Sequence, residues 1–193
     1  MAETAEKHYV AFAGNTRLAA GEIADVAAAV RRALDAEPAL QPLIFDAETG
    51  EQTEVDLRGS EADVRARLAP APLAPRSPGR PKLGVVAREV TLLPRHWEWL
   101  ASQPGSASVT LRKLVEAARR EGDGANRVRR SQEAAYRFMS TVAGNEAGFE
   151  EATRALFAGD AGRFSAITEA WPFDVRSEAR RMAEGAFAPG DAS

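Results

Sequence analysis

The stretch APAPLAPRSPGRPK, residues 69–82, limits the fold more than any other part of the chain. Its five prolines lack the N–H that a helix interior or an inner strand needs, and each disfavours a helical conformation in the residue before it. Alternating proline and alanine make a stiff, extended connector, not a packed element. The chain therefore divides into a unit over residues 1–69, a proline-rich basic linker over 70–82, and everything beyond. At 193 residues it has room for one domain or two small ones.

Before the linker, HYVAFA and TRLAAGEI are short apolar runs joined at Gly14-Asn15, a pair that favours a hairpin turn. Ile23, Val26, Ala27, Val30 and Leu34 then fall on one face of a helix that stops before Pro38. PLIFDAETGEQTEVDL sets Leu43 to Phe45 and Val55 to Leu57 on either side of Glu48-Thr49-Gly50, which predicts a second hairpin. The expected unit is an acidic ββαββ arrangement. Asp46, Glu48, Glu51, Glu54 and Asp56 cluster around the second hairpin. Their spacing does not follow a calcium loop, so a solvated acidic turn is expected and no metal is assigned.

Charge is distributed unevenly. Residues 1–75 carry 13 acidic and 7 basic residues, residues 76–137 carry 6 and 13, and residues 138–193 carry 9 and 5, for net charges of −6, +7 and −4. A basic middle between acidic flanks suits a polyanion partner such as double-stranded DNA. It equally suits a charged helical surface that pairs with its acidic neighbours. At the linker's end, Arg76 and Gly79-Arg80-Pro81-Lys82 resemble the core of the AT-hook, a Gly-Arg-Pro peptide of the narrow minor groove. That resemblance implies that Arg80 and Lys82 hold the minor groove or its phosphates, where the negative potential is strongest. Ordinary linker composition accounts for the same residues.

REVTLLPRHWEWLASQPGSASVTLRKLVEAARR, 33 residues from Arg88, follows. It reads as a strand at Glu89 to Leu92, a helix begun by Pro94, a stop at Pro104-Gly105, and a second helix capped at Ser106 or Ser108. The stretch resembles the ribbon-helix-helix family of bacterial repressors and antitoxins, and residues 83–121 are expected to form such a module. The resemblance implies an obligate homodimer: two chains pair their strands, the ribbon enters the major groove, and the start of the second helix holds a phosphate. Val90 and Leu92 would face the dimer core, with Trp97, Leu100, Leu111, Leu114 and Val115 as the apolar face of the helices. Arg88 and Thr91 would serve the DNA side, the amides near Ser106 and Ser108 would grip a phosphate, and Arg112 and Lys113 would add nonspecific attraction. Glu89 departs from the family, because a carboxylate beside phosphates is unfavourable.

A helix-turn-helix register also fits, with Val86, Ala87 and Val90 on a first helix and Trp97 and Leu100 anchoring a recognition helix. A third reading is a strand and two helices that only pack a core. In every register Trp97 and Trp99 are two apart and cannot share one helix face, so an interface is expected for at least one of them.

The remainder, residues 122–187, reads as a helical bundle, with residues 188–193 as a disordered tail. EGDGAN is expected to break the chain before a stripe of Val128, Ala135, Phe138, Met139 and Val142. Arg127, Arg129 and Arg130 would then sit at a helix start, where cations oppose the dipole and a phosphate or the acidic first unit could offset them. GFEEATRALFAGD, GRFSAITEAW and FDVRSEARRMAEGAF follow as short helices, and Trp171 reads as core.

Several function classes fall away. The chain has no cysteine, hence no disulfide or thiolate chemistry, and no apolar run near the ~20 residues of a membrane-spanning helix. MAETAEKHYV does not read as a signal peptide, and a cytoplasmic location is expected. No HExxH, GxSxG or phosphate-loop motif occurs, and the two histidines, His8 and His96, have no evident catalytic partner. No cofactor is implied. RPKLGVVAREVTLLPRHWEWLASQPG, EAAYRFMS and FEEATRALFAGD resemble an uncharacterised bacterial protein family, domain of unknown function 2239. The expectation is an α+β, non-enzymatic, DNA-binding homodimer of transcription-regulator type. The alternative is an adaptor that binds another protein and no nucleic acid.

Overall fold

The computed structural model describes residues 7–69 and 88–187. The chain forms two compact units, residues 1–70 with 124–193, and residues 71–123. The architecture is mixed α+β and mostly helical among the described residues.

The first unit begins with β1 (Tyr9–Ala13) and β2 (Thr16–Gly21), an antiparallel hairpin with a bulge between Ala11 and Phe12. Gly14 sits at the turn with φ +54°, as expected of the Gly14-Asn15 pair. After α1 (Ile23–Ala36), β3 (Pro42–Asp46) pairs antiparallel with β1, giving the order β2-β1-β3. Side chains alternate across the sheet. Ala11 and Ile44 join Val26 and Val30 of α1 on one face, while Val10, Phe12 and Phe45 belong to a larger core on the other.

That larger core is completed by α4 (Ala107–Val142), α5 (Phe149–Phe157), α6 (Ala161–Thr168) and α7 (Phe173–Ala183). Phe138 of α4 lies edge-on to Phe12 and Phe45, with ring centroids 5.2 and 5.3 Å away. Trp171 is buried, and its indole N–H donates to the Ala147 carbonyl at 2.9 Å. Glu178 is 2% exposed and is paired with Arg181 and, at 3.7 Å, with Arg17 of β2.

The second strand expected at Val55 to Leu57 does not form. Only a single bridge, Phe45 to Gln52, continues the pairing. The Asp46 carboxylate accepts from the Glu48 and Thr49 amides and closes a turn that brings the chain back beside β3, where the Thr53 amide donates to the Ile44 carbonyl before the pairing stops. Arg67 of α2 (Glu61–Leu68) then donates to the Asp56 and Arg58 carbonyls, so side-chain groups occupy acceptors that a ladder would use. Val55 and Leu57 pack instead on the α1 side of the sheet.

In the second unit, α3 (Pro94–Ser102) starts at Pro94 as expected, and the chain breaks around Gly105, φ +100°, before α4. The amides of Val109 and Thr110 donate to the Ser106 carbonyl, so the second helix begins where its serines suggest. The strand expected at Glu89 to Leu92 is absent: residues 88–93 are neither strand nor helix. An extended segment becomes a strand only against a partner, and every strand among the described residues lies in the first unit. The helix-turn-helix register fares no better over its described part, since Arg88 to Val90 are not helical.

The break expected at EGDGAN is also corrected, because α4 runs through it as one 36-residue helix. Gly122 and Gly124 each cost about 1 kcal/mol in a helix, but unlike proline they keep every backbone hydrogen bond. Beyond them Ala134, Ala135, Phe138 and Met139 are buried, which offsets that cost. Arg127, Arg129 and Arg130 therefore lie inside a helix, far from its dipole ends. The linker at 70–82 and the tail at 188–193 lie outside the described residues.

Candidate functional site

The second unit exposes the apolar residues that its pattern would bury. Leu100 is 2% exposed and Thr110 is buried, and they are its only buried side chains among the described residues. Trp97 and Trp99 remain 44% and 49% exposed, which follows from their spacing: a face that buries Leu100 can take in Trp97 only partly and Trp99 less. Val90, Leu93, Leu114 and Val115 are likewise exposed, and Leu92 and Leu111 are half-buried.

Polar candidates fall at two places. Arg88 and Thr91 are exposed on the segment before α3. Ser106 and Ser108 are exposed at the start of α4, one turn before Arg112 and Lys113. Arg112 Nε donates to the Ser108 carbonyl at 3.1 Å, which draws its charge toward the helix start. His96 is exposed, and Arg80 and Lys82 lie outside the described residues.

A second feature lies wholly in the first unit and was not anticipated as a site. A groove of about 730 Å³ runs between the turn Ala47 to Thr49, the α4 residues Arg127, Arg130, Ser131 and Arg137, and the end of α7 with the 3-10 turn Glu184–Ala186. Arg181 Nη2 donates to the Ala47 carbonyl at 2.8 Å, and Arg137 Nη1 donates to the Thr49 carbonyl at 2.9 Å. Two helices thus hold the acidic turn by its backbone. No local signal marked this, because Arg181 is 134 residues from Ala47.

Asp56 and Asp63, in the chain beyond β3, are occupied in the fold. Asp56 pairs with Arg58 and Arg67, and the Arg58 guanidinium holds its carboxyl far below the usual range. Asp63 is lowered by hydrogen bonds from the Ser60 hydroxyl and amide. Among the described residues no group of three or more histidines and carboxylates is placed to hold a metal ion. No described helix is long and apolar enough to cross a membrane.

No curated protein and no solved structure matches the chain. Residues 8–183, from the edge of β1 to the end of α7, match the family described as "Uncharacterized protein conserved in bacteria (DUF2239)", and the chain belongs to that family.

Proposed function

We propose that the protein is a non-enzymatic DNA-binding homodimer of transcription-regulator type, with residues 88–119 as its association module. The observation that carries this reading is the exposure of Trp97, Trp99, Leu114 and Val115 on a unit in which only Leu100 and Thr110 are buried among the described residues. Such a surface is costly in water and suits burial against a second copy. Val90 and Leu92, on a segment with no strand partner among the described residues, would pair across the dimer. DNA enters through charge: the net +7 of residues 76–137, the α4 amides near Ser106 and Ser108 for a phosphate, and Arg88, Thr91, Arg112 and Lys113 around them.

The test is binding of the full chain to mixed-sequence duplex DNA over a salt series, with mass measured by sedimentation on the same samples. A dimer whose affinity falls steeply with salt is expected. Replacing Arg80 and Lys82 together by alanine should lower the log–log salt slope by about 2. A monomer without affinity at low salt ends the reading.

The two half-exposed tryptophans favour one alternative, an adaptor that buries Trp97 and Trp99 against a different protein. A dimer that fails to bind DNA at any salt would support neither reading in full, since the adaptor needs this face free.

A further inference from the structure

Most arginines of the first unit are ion-paired, including Arg137 with Glu51 and Glu133, and Arg181 with Glu178. Arg127 and Arg130 depart from this. Both line the groove, and among the described residues neither guanidinium has a carboxylate or hydrogen-bond partner. The Glu48 and Glu184 carboxylates, which line the same groove, are also without a cation among the described residues. Unpaired charges of both signs therefore line one depression.

The walls are held close to α4. Gly50, φ +67°, lies so near that a Cβ there would sit 2.1 Å from the Ala134 carbonyl oxygen. On the other side a Cβ on Gly185 would sit 2.3 Å from Ser131 Oγ and 3.4 Å from Arg127 Cγ. Two glycines and the two arginine-to-carbonyl bonds thus fix the turn and the 3-10 segment against the helix, so the groove is formed before any ligand arrives.

We propose that this groove binds a short zwitterionic peptide, its carboxylate taken by Arg127 and Arg130 and its ammonium by Glu48 or Glu184. Arg127 and Arg130 are three residues apart on one helix, a rise of about 4.5 Å, which suits two guanidinium forks on one carboxylate. A phosphate dianion is disfavoured, because Glu48, Glu133 and Glu184 also line the groove. The groove's volume of about 730 Å³ falls in the range of small-molecule sites. An extended tripeptide of about 10 Å fits within the ~15 Å of α4 between Arg127 and Arg137.

Calorimetry on the full chain with triglycine, N-acetyl-triglycine, triglycine amide and inorganic phosphate tests this. Triglycine should bind saturably at one site, and removing either terminal charge should weaken it about tenfold or more. R127A/R130A should lose triglycine binding with only a small change in Tm, because among the described residues neither guanidinium makes an ion pair or hydrogen bond. E48Q/E184Q should weaken triglycine and leave N-acetyl-triglycine unaffected, which separates loss of a charge from loss of structure. The proposal is overturned if the three peptides bind alike, if triglycine gives no saturable heat, if R127A/R130A binds it as the parent does, or if phosphate binds more tightly than triglycine.

Discussion

Gly50 and Gly14 both hold positive φ, +67° and +54°, yet a methyl group would meet very different surroundings. At Gly14 nothing lies within 4 Å of an added Cβ, whereas at Gly50 the Ala134 carbonyl oxygen lies 2.1 Å away. Gly14→Ala should therefore cost only the conformational strain, about 1–2 kcal/mol. Gly50→Ala adds a backbone clash that no rotamer relieves, and should cost roughly 2–5 kcal/mol in urea denaturation. Similar losses for the two variants would mean that the turn does not touch α4 as described. Ser60 and Asp63 give a second prediction. Each caps the other's end of the first turn of α2, and the depressed Asp63 pKa means that this stability is present above the unfolded value, about 3.9, and lost as pH falls through the folded one. Ser60→Ala should cost about 1 kcal/mol and return Asp63 toward its ordinary pKa in an NMR titration. An Asp63 that titrates normally in the parent would show that the box is not formed.

At the scale of elements, a helix tolerates what local rules discourage when its far end is well buried. Gly124 is helical and a Cβ added there would meet nothing within 4 Å, so Gly124→Ala should raise stability by about 0.5–1 kcal/mol, read as the shift of the urea midpoint at constant slope. A loss would mean that the helix is interrupted there after all. EGDGAN misled for this reason: glycine lowers propensity without removing a hydrogen bond, and the burial of Phe138 and Met139 that decides the matter is long-range. Elements that bury one face locally were readable, namely the first hairpin with its alternating Val10, Ala11 and Phe12, α1 from its apolar spacing, α3 from Pro94, and α5 to α7. Val55 to Leu57 had the right composition for a strand, but the pairing stops after Gln52 and Thr53, and Arg67 takes the Asp56 and Arg58 carbonyls, which composition does not reveal. The candidate sites divide in the same way. The exposure of Trp97 and Trp99 follows from a spacing of two on a helix, while the groove joins residues 47–49, 127–137 and 181–185, which no local pattern connects. If the exposed face is an association surface, W97A/W99A should turn the dimer into a monomer at micromolar concentration while helix content by circular dichroism stays constant. An unchanged dimer would place the interface elsewhere.

For the whole molecule, the chain's two ends share one core. Val10, Phe12 and Phe45 from the N-terminal sheet lie in the same cluster as Phe138, Leu156, Trp171 and Val175, although the proline-rich linker and the second unit separate them in sequence. Contacts this distant carry a high loop-closure cost, so neither the sheet nor the C-terminal helices should be stable alone. Phe138 is the sharpest probe, because its ring sits edge-on to both Phe12 and Phe45. Phe138→Ala should cost about 3–5 kcal/mol. In a W97F/W99F background Trp171 becomes the only tryptophan, and its fluorescence then reports the C-terminal helices. Amide exchange in β1 and β3 reports the sheet. If the two ends form one cooperative unit, Phe138→Ala lowers the Trp171 transition and the protection of the sheet by the same free energy. A sheet that keeps its protection while Trp171 unfolds early would show instead that the helices are a separate layer, and that the sheet draws its stability from α1 alone.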